Sequence, residues 1–193
     1  MARFETIYLT GAPAAGKSSL TRALADLVTP LEVWEFGERL TEYVNTTRDE
    51  PMAQADLRRE SAKAASPQAV EAVDDMLLRF VANQRTRSHV IIDSHPVTKE
   101  EHGYRVTPYS LARFAELRPT QIWVLYTDPA VAIRRIAADA QGRPTITTEE
   151  ARFHTYMQAS VGIAYGMSLG IPVHFFDSDR IASELAQELS SRF

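Results

Sequence analysis

Residues Gly11-Ala-Pro-Ala-Ala-Gly-Lys-Ser18 have the types and the G-x-x-x-x-G-K-[ST] spacing of a loop that holds nucleotide phosphates. Gly11 and Gly16 permit backbone angles closed to other residues, so successive N–H groups can turn inward around a phosphate. Lys17 adds a point charge directed at the β- and γ-phosphates, and the Ser18 hydroxyl is suited to Mg²⁺. Together with Ala12, Pro13, Ala14, Ala15 and Ser19, these residues form the expected ATP-binding segment.

Two further groups belong to the same chemistry. Asp93 ends the run His89-Val-Ile-Ile-Asp93, which places a carboxylate at the C-terminal edge of a strand, where open α/β sheets bind ligands. It is positioned to hold Mg²⁺ through water, opposite Ser18. Phosphoryl transfer also needs positive charge around the moving group. Arg134, on a helix, and Arg143, in the Gly/Pro-marked segment Ala-Gln-Gly-Arg-Pro, are the catalytic cations expected beside Lys17. Arg135 has less claim, because consecutive helical residues point in different directions.

The elements that must position these groups are legible as alternating apolar runs and helical patterns. Strands are expected over 4–10, 31–36, 88–93, 120–126 and 171–176. Several are apolar almost throughout, as parallel strands covered on both faces require. A strand, the glycine loop and a helix with Leu20, Ala23, Leu24, Leu27 and Val28 at helical spacing follow in the order a phosphate loop demands.

Ser66-Pro67 reads as a helix start, as does Thr107-Pro108 before Leu111, Phe114 and Leu117. Asp128-Pro129 opens another, and Thr147-Thr-Glu-Glu150 is a capping box. The long helix it opens carries Phe153, Met157, Val161 and Ala164 on one face. A last helix over about 178–191 is expected to bury Ile181, Leu185 and Leu189.

Roughly fifty residues separate the second and third strands, far more than a crossover needs, so this excursion builds something. It carries Arg39, Arg48, Arg58, Arg59 and Lys63, and a helical flap for the second substrate is one reading, a structural insert the other. Phe36, Gly37, Arg39, Arg48 and His95 are the expected acceptor contacts.

Length, charge and cysteine content set limits. At 193 residues the chain suits one α/β domain, 1–193, with a helical insert at about 38–65 and a short lid at about 139–147. A net charge of −4 gives no reason to expect nucleic-acid or membrane binding. The absence of cysteine excludes disulfides and cysteine metal sites. The polar N-terminus and the lack of a long apolar run point to a soluble, cytoplasmic protein.

Taken in order, several short motifs resemble the archaeal-type adenylate kinases, a family of P-loop nucleoside monophosphate kinases. The motifs are Leu9-Thr-Gly-Ala-Pro-Ala-Ala-Gly-Lys-Ser18, Glu35-Phe-Gly37, Arg48-Asp49, Ile92-Asp-Ser-His95, Gly103-Tyr104 and Ile133-Arg-Arg-Ile136. His154, Met157, Tyr165-Gly166 and Gly170 complete the series.

The resemblance implies a five-stranded parallel core with helices on both faces, a short lid, and transfer of the ATP γ-phosphoryl to a monophosphate, AMP first. It also allows self-association, since some members are trimers. The chain departs from the pattern at Gln141 in the lid, near where a second arginine is expected, and at Gln158-Ala159 in the long helix, where an Asn-Arg pair is expected. Two alternatives therefore stay open: a P-loop kinase for another small acceptor, and a regulatory ATP binder with slow ATPase activity.

Overall fold

Ile7 and Leu9 project to one side of a strand and Tyr8 to the other, and all three have no exposed surface. Only a strand covered on both faces meets that condition. The computed structural model describes residues 4–46, 51, 53, 66–100, 103–138 and 145–193. Its first elements are β1 (Thr6–Gly11), α1 (Lys17–Leu27), β2 (Leu31–Glu35), α2 (Phe36–Thr46), α3 (Pro67–Gln84) and β3 (His89–Asp93). Then follow β4 (Val97–Glu100), β5 (Gly103–Val106), α4 (Leu111–Glu116), β6 (Gln121–Tyr126), α5 (Pro129–Ala138), α6 (Thr148–Leu169), β7 (Val173–Asp177) and α7 (Ala182–Leu189).

The five parallel strands lie in the order β2-β3-β1-β6-β7, each within two residues of its sequence-predicted bounds. On one face Ile7, Leu9, Ile91, Trp123 and Leu125 pack against Leu20 and Leu24 of α1 and Leu185 and Leu189 of α7. On the other, Tyr8, Val90, Ile92, Ile122 and Val124 meet Val73, Leu77 and Val81 of α3, Phe114 of α4 and Tyr165 of α6. The stacked Phe114 and Tyr165 rings, 3.9 Å between centroids, anchor that second layer.

Capping follows the local chemistry. Ser66 accepts a hydrogen bond from the Ala69 amide with Pro67 in the first turn, and Thr147 and Glu150 form the reciprocal capping box. The cap of α4 is Ser110, not Thr107, so that helix is a single short stretch with Leu111 exposed.

Burial departs from the sequence pattern at three places, and the expected burial of Ile181 is corrected. Leu27 and Ile181, at helix ends, are 51% and 63% exposed. In α6 the buried face is Ala151, His154, Gln158, Gly162 and Tyr165, and Phe153 lies outside it. This helix is apolar on both sides, with Tyr156, Ile163 and Met167 also exposed, so spacing alone did not say which face meets the sheet.

An antiparallel hairpin, β4 with β5, was not anticipated; it pairs Val97 with Val106 and Lys99 with Tyr104. Most of the expected insert, including Arg48, Arg58, Arg59 and Lys63, and the lid residues Gln141 and Arg143 lie outside the described residues.

Candidate functional site

The phosphate loop bridges β1 and α1 because its two glycines do what side-chain-bearing residues cannot. Gly16 has φ 83° at the start of α1, and a Cβ on Gly11 would meet the Leu125 carbonyl oxygen at 2.5 Å. The loop is thereby seated on the ends of β1 and β6. Lys17 is largely shielded and donates to the Gly11 carbonyl oxygen at 3.0 Å, with its ammonium 3.9 Å from Asp93.

Asp93 ends β3, beside Leu9 of β1 and Glu35 of β2, and is 8% exposed. Ser18 and Ser19 are exposed at the first turn of α1. A cavity of about 1120 Å³ opens above these groups.

The cavity runs from the phosphate loop, residues Pro13 to Leu20, to a second wall. That wall takes Phe36, Gly37, Glu38 and Leu40 from α2, Val70 and Asp74 from α3, Ser94 and His95 after β3, and Tyr109 before α4. The hairpin contributes Thr98, Lys99, Glu100 and Arg105, and α6 contributes Glu150 and His154. Loop and wall face one another across one space, which is the geometry of a donor and an acceptor side.

The sequence-predicted residues divide on inspection. Pro13 to Ser19, Phe36, Gly37, Asp93 and His95 line the cavity, with Gly11 and Ala12 buried beneath it. Arg39 does not line it: its guanidinium bonds Glu42 at 2.9 Å and stands over the Trp34 ring. Arg134 is exposed and also absent from the lining.

The cation that meets the loop is the neighbouring Arg135, which donates to the Ala14 and Ser178 carbonyl oxygens at 3.2 and 2.9 Å. One residue along a helix is a rotation of about 100°, and which arginine faces inward depends on how α5 docks. Arg48 and Arg143 lie outside the described residues.

Gln158, where the family resemblance implies an asparagine followed by an arginine at 159, is a structural link. It is wholly buried, accepts from the Thr10 hydroxyl at 3.2 Å and donates to the Val97 carbonyl oxygen at 3.0 Å. His154 shares that carbonyl, and burial holds its pKa below the usual imidazole value. Strand β1 and the hairpin are thus tied through the same helix.

Several site residues were missed from sequence. Lys99 pairs with Glu150 at 2.8 Å, and this contact with the Thr147 cap pulls the Glu150 carboxyl down to about 2. Arg105 pairs with Glu100 at 2.8 Å. The Val97-Thr-Lys-Glu and Gly103-Tyr-Arg-Val runs carried a strand signal, but each is only four residues long. Asp74 and Tyr109 carried none, since an acidic residue within a helix reads as solvent-facing.

Comparison with known proteins agrees with this geometry. The model of the AAA domain family matches residues 10–152. An adenylate kinase of Methanococcus vannielii is 23% identical over 172 residues, covering 86% of each chain.

Among solved structures, the Deinococcus radiodurans tunicamycin resistance protein superposes with a TM-score of 0.60 at 13% identity, covering 98% of this chain and 95% of its own. Shikimate kinase from Acinetobacter baumannii gives 0.57 at 16% identity, with 96% and 90% covered. These two establish the fold. Loop, sheet order and family match converge on one conclusion: the chain belongs to the AAA domain family, as an adenylate-kinase-like P-loop kinase.

Proposed function

We propose that this protein transfers the γ-phosphoryl of Mg·ATP to a nucleoside monophosphate, with AMP as the first acceptor. The observation that carries the reading is the continuity of the cavity: the Lys17–Asp93 edge of the phosphate loop and the wall of Phe36, Gly37 and His95 enclose one space. The near full-length similarity to an adenylate kinase supports AMP over other monophosphates.

In this reading Lys17 and the loop amides hold the donor phosphates and bring positive charge to where it develops in the transition state. Hard oxygen donors suit Mg²⁺, and the Ser18 hydroxyl and the Asp93 carboxylate, both at the cavity, would hold it, Asp93 through water. Mg²⁺ would neutralise charge on the phosphates. Arg143 remains the proposed lid cation, and an ATP-using enzyme of this kind is assigned to the cytoplasm.

A specific observation favours a second reading, a kinase of an uncharged hydroxylated acceptor. Glu35, Glu38 and Asp74 line the second wall, and the hairpin cations Lys99 and Arg105 are each paired with a glutamate. ADP formation from Mg·ATP with AMP, CMP, UMP, GMP, dTMP, a hexose and no acceptor separates the readings. Stimulation by AMP supports the first, and stimulation by an uncharged compound alone supports the second. A flat panel moves the assignment to a regulatory ATP binder.

A further inference from the structure

Asp74 is the one carboxylate that α3 contributes to the cavity wall among the described residues. Its neighbour Asp75 is bonded to Arg113, so the nearest guanidinium is already engaged by a different carboxylate. Directly beside Asp74 stands the Tyr109 side chain, also on the wall. Its hydroxyl is shut off from solvent and lies close enough to the Asp74 carboxylate and the Ser94 hydroxyl to interact with both, but forms no hydrogen bond of full geometry to either. A buried hydroxyl left this way costs about 1–3 kcal/mol, so a donor or acceptor that completes it in the bound state is expected.

We infer that Asp74 and Tyr109 form a hydroxyl-recognising subsite that selects the phosphoryl acceptor. An incoming hydroxyl donates to the Asp74 carboxylate and accepts from the Tyr109 hydroxyl, which satisfies both groups at once. The acceptor class is then a ribose or sugar-like compound with hydroxyls beyond the one phosphorylated, a choice that rests on the kinase reading above. Phe36 and Leu40, on the same wall, supply the apolar surface against which a ring would lie. Asp74 and Tyr109 act as specificity determinants; the transfer itself stays with the phosphate loop.

The electrostatic setting matches this role. Burial raises the Asp74 carboxyl to about 6, against the pull of the Tyr109 hydroxyl and of Arg113, with Asp75 and Glu71 of its own helix adding to the rise. Tyr8 of β1, Tyr109 and Tyr165 of α6 face the same region, and all three are held neutral by burial. Ionised Asp74 is the form that accepts a hydroxyl, so acceptor use increases as pH passes about 6.

The test uses the full chain with Asp74→Asn and Tyr109→Phe, and AMP, 2′-deoxy-AMP, 3′-deoxy-AMP, shikimate and a hexose as acceptors. Each variant is expected to lose about tenfold or more in acceptor kcat/KM, mainly through KM, with the ATP KM within about twofold. The preference for AMP over whichever deoxy analogue lacks the recognised hydroxyl falls toward unity, and Asp74→Asn loses the rise through pH 6.

Variants that keep the wild-type acceptor KM and the same preference overturn the subsite and leave the AMP reading standing. Equal losses for ATP and acceptor also overturn it, because they mark a structural role. Turnover of shikimate or the hexose in place of AMP sinks the monophosphate reading, and the same two variants then judge the subsite on that acceptor. No turnover with any acceptor overturns both.

Discussion

The Arg135 guanidinium donates to the Ala14 carbonyl oxygen, 3.2 Å away at the apex of the phosphate loop. Its other terminal nitrogen reaches the Ser178 carbonyl oxygen, just past β7, at 2.9 Å. A single side chain from α5 therefore fixes the loop to the far edge of the sheet. A planar guanidinium can span two carbonyls in this way; an ammonium on a flexible stem cannot hold both with the same geometry.

Arg135→Ala is expected to raise the ATP KM about tenfold, as loss of charged hydrogen bonds worth about 1.5 kcal/mol would. Arg135→Lys should recover part of the loss. Arg134→Ala, on the exposed side of the same helix, should stay within about twofold of wild type. Steady-state kinetics with ATP varied, on all three variants, checks the ranking.

Lys17 sits between the Gly11 carbonyl oxygen and Asp93, already aimed at the cavity before any phosphate arrives. Lys17→Ala is expected to lower kcat by about a hundredfold or more, the scale of losing one preorganised charge at a developing anion. Unchanged turnover would remove the loop lysine from the mechanism.

Asp93→Asn is expected to raise the Mg²⁺ concentration needed for half-maximal rate, with a smaller change in acceptor KM. Rates measured across a Mg²⁺ titration at saturating ATP decide it. An unaltered Mg²⁺ requirement would leave Asp93 as a partner of Lys17 alone.

Asp74 supplies a stability test that needs no substrate. Its carboxyl is raised to about 6 in the fold against an ordinary value of 3.8, so the folded state holds the proton more tightly. Between those two values the native state binds more protons than the unfolded state, and stability falls as pH rises through the window. Asp74→Asn should therefore be more stable than wild type above about pH 6, with the advantage shrinking toward pH 4. Thermal or urea unfolding across that range measures the difference.

Gly166 in α6 leaves space for Val173 of β7: a Cβ there would stand 2.1 Å from the valine Cγ2 and 3.2 Å from the Ile171 carbonyl oxygen. Gly166→Ala is expected to destabilise the fold by about 1–3 kcal/mol through overpacking, read as a lowered Tm. A matched Val173→Ala change in the double variant should restore part of it.

Much of this protein was legible in its sequence because the information was local. The strand-loop-helix order around Gly11 to Ser18, the Asp93 strand end and the Thr147 capping box depend on residues within a few positions of one another, and backbone chemistry decides such features. The five strands were legible for a related reason: runs such as Val90-Ile-Ile92 are apolar on consecutive positions, which only a doubly covered strand explains.

Tertiary structure alone decided which side of each helix looks inward. Arg134 and Arg135 are adjacent in the chain and about 100° apart around α5, and docking against the loop chose the second. Helix α6 is apolar on two faces, so burial of Gln158 and exposure of Phe153 followed from packing on β1, β6 and the hairpin rather than from periodicity. The Asp74–Tyr109 meeting joins residues 35 positions apart, brought to one wall by the sheet between them. Local backbone preference is written residue by residue, whereas a site wall is a long-range contact, and only the folded chain specifies it.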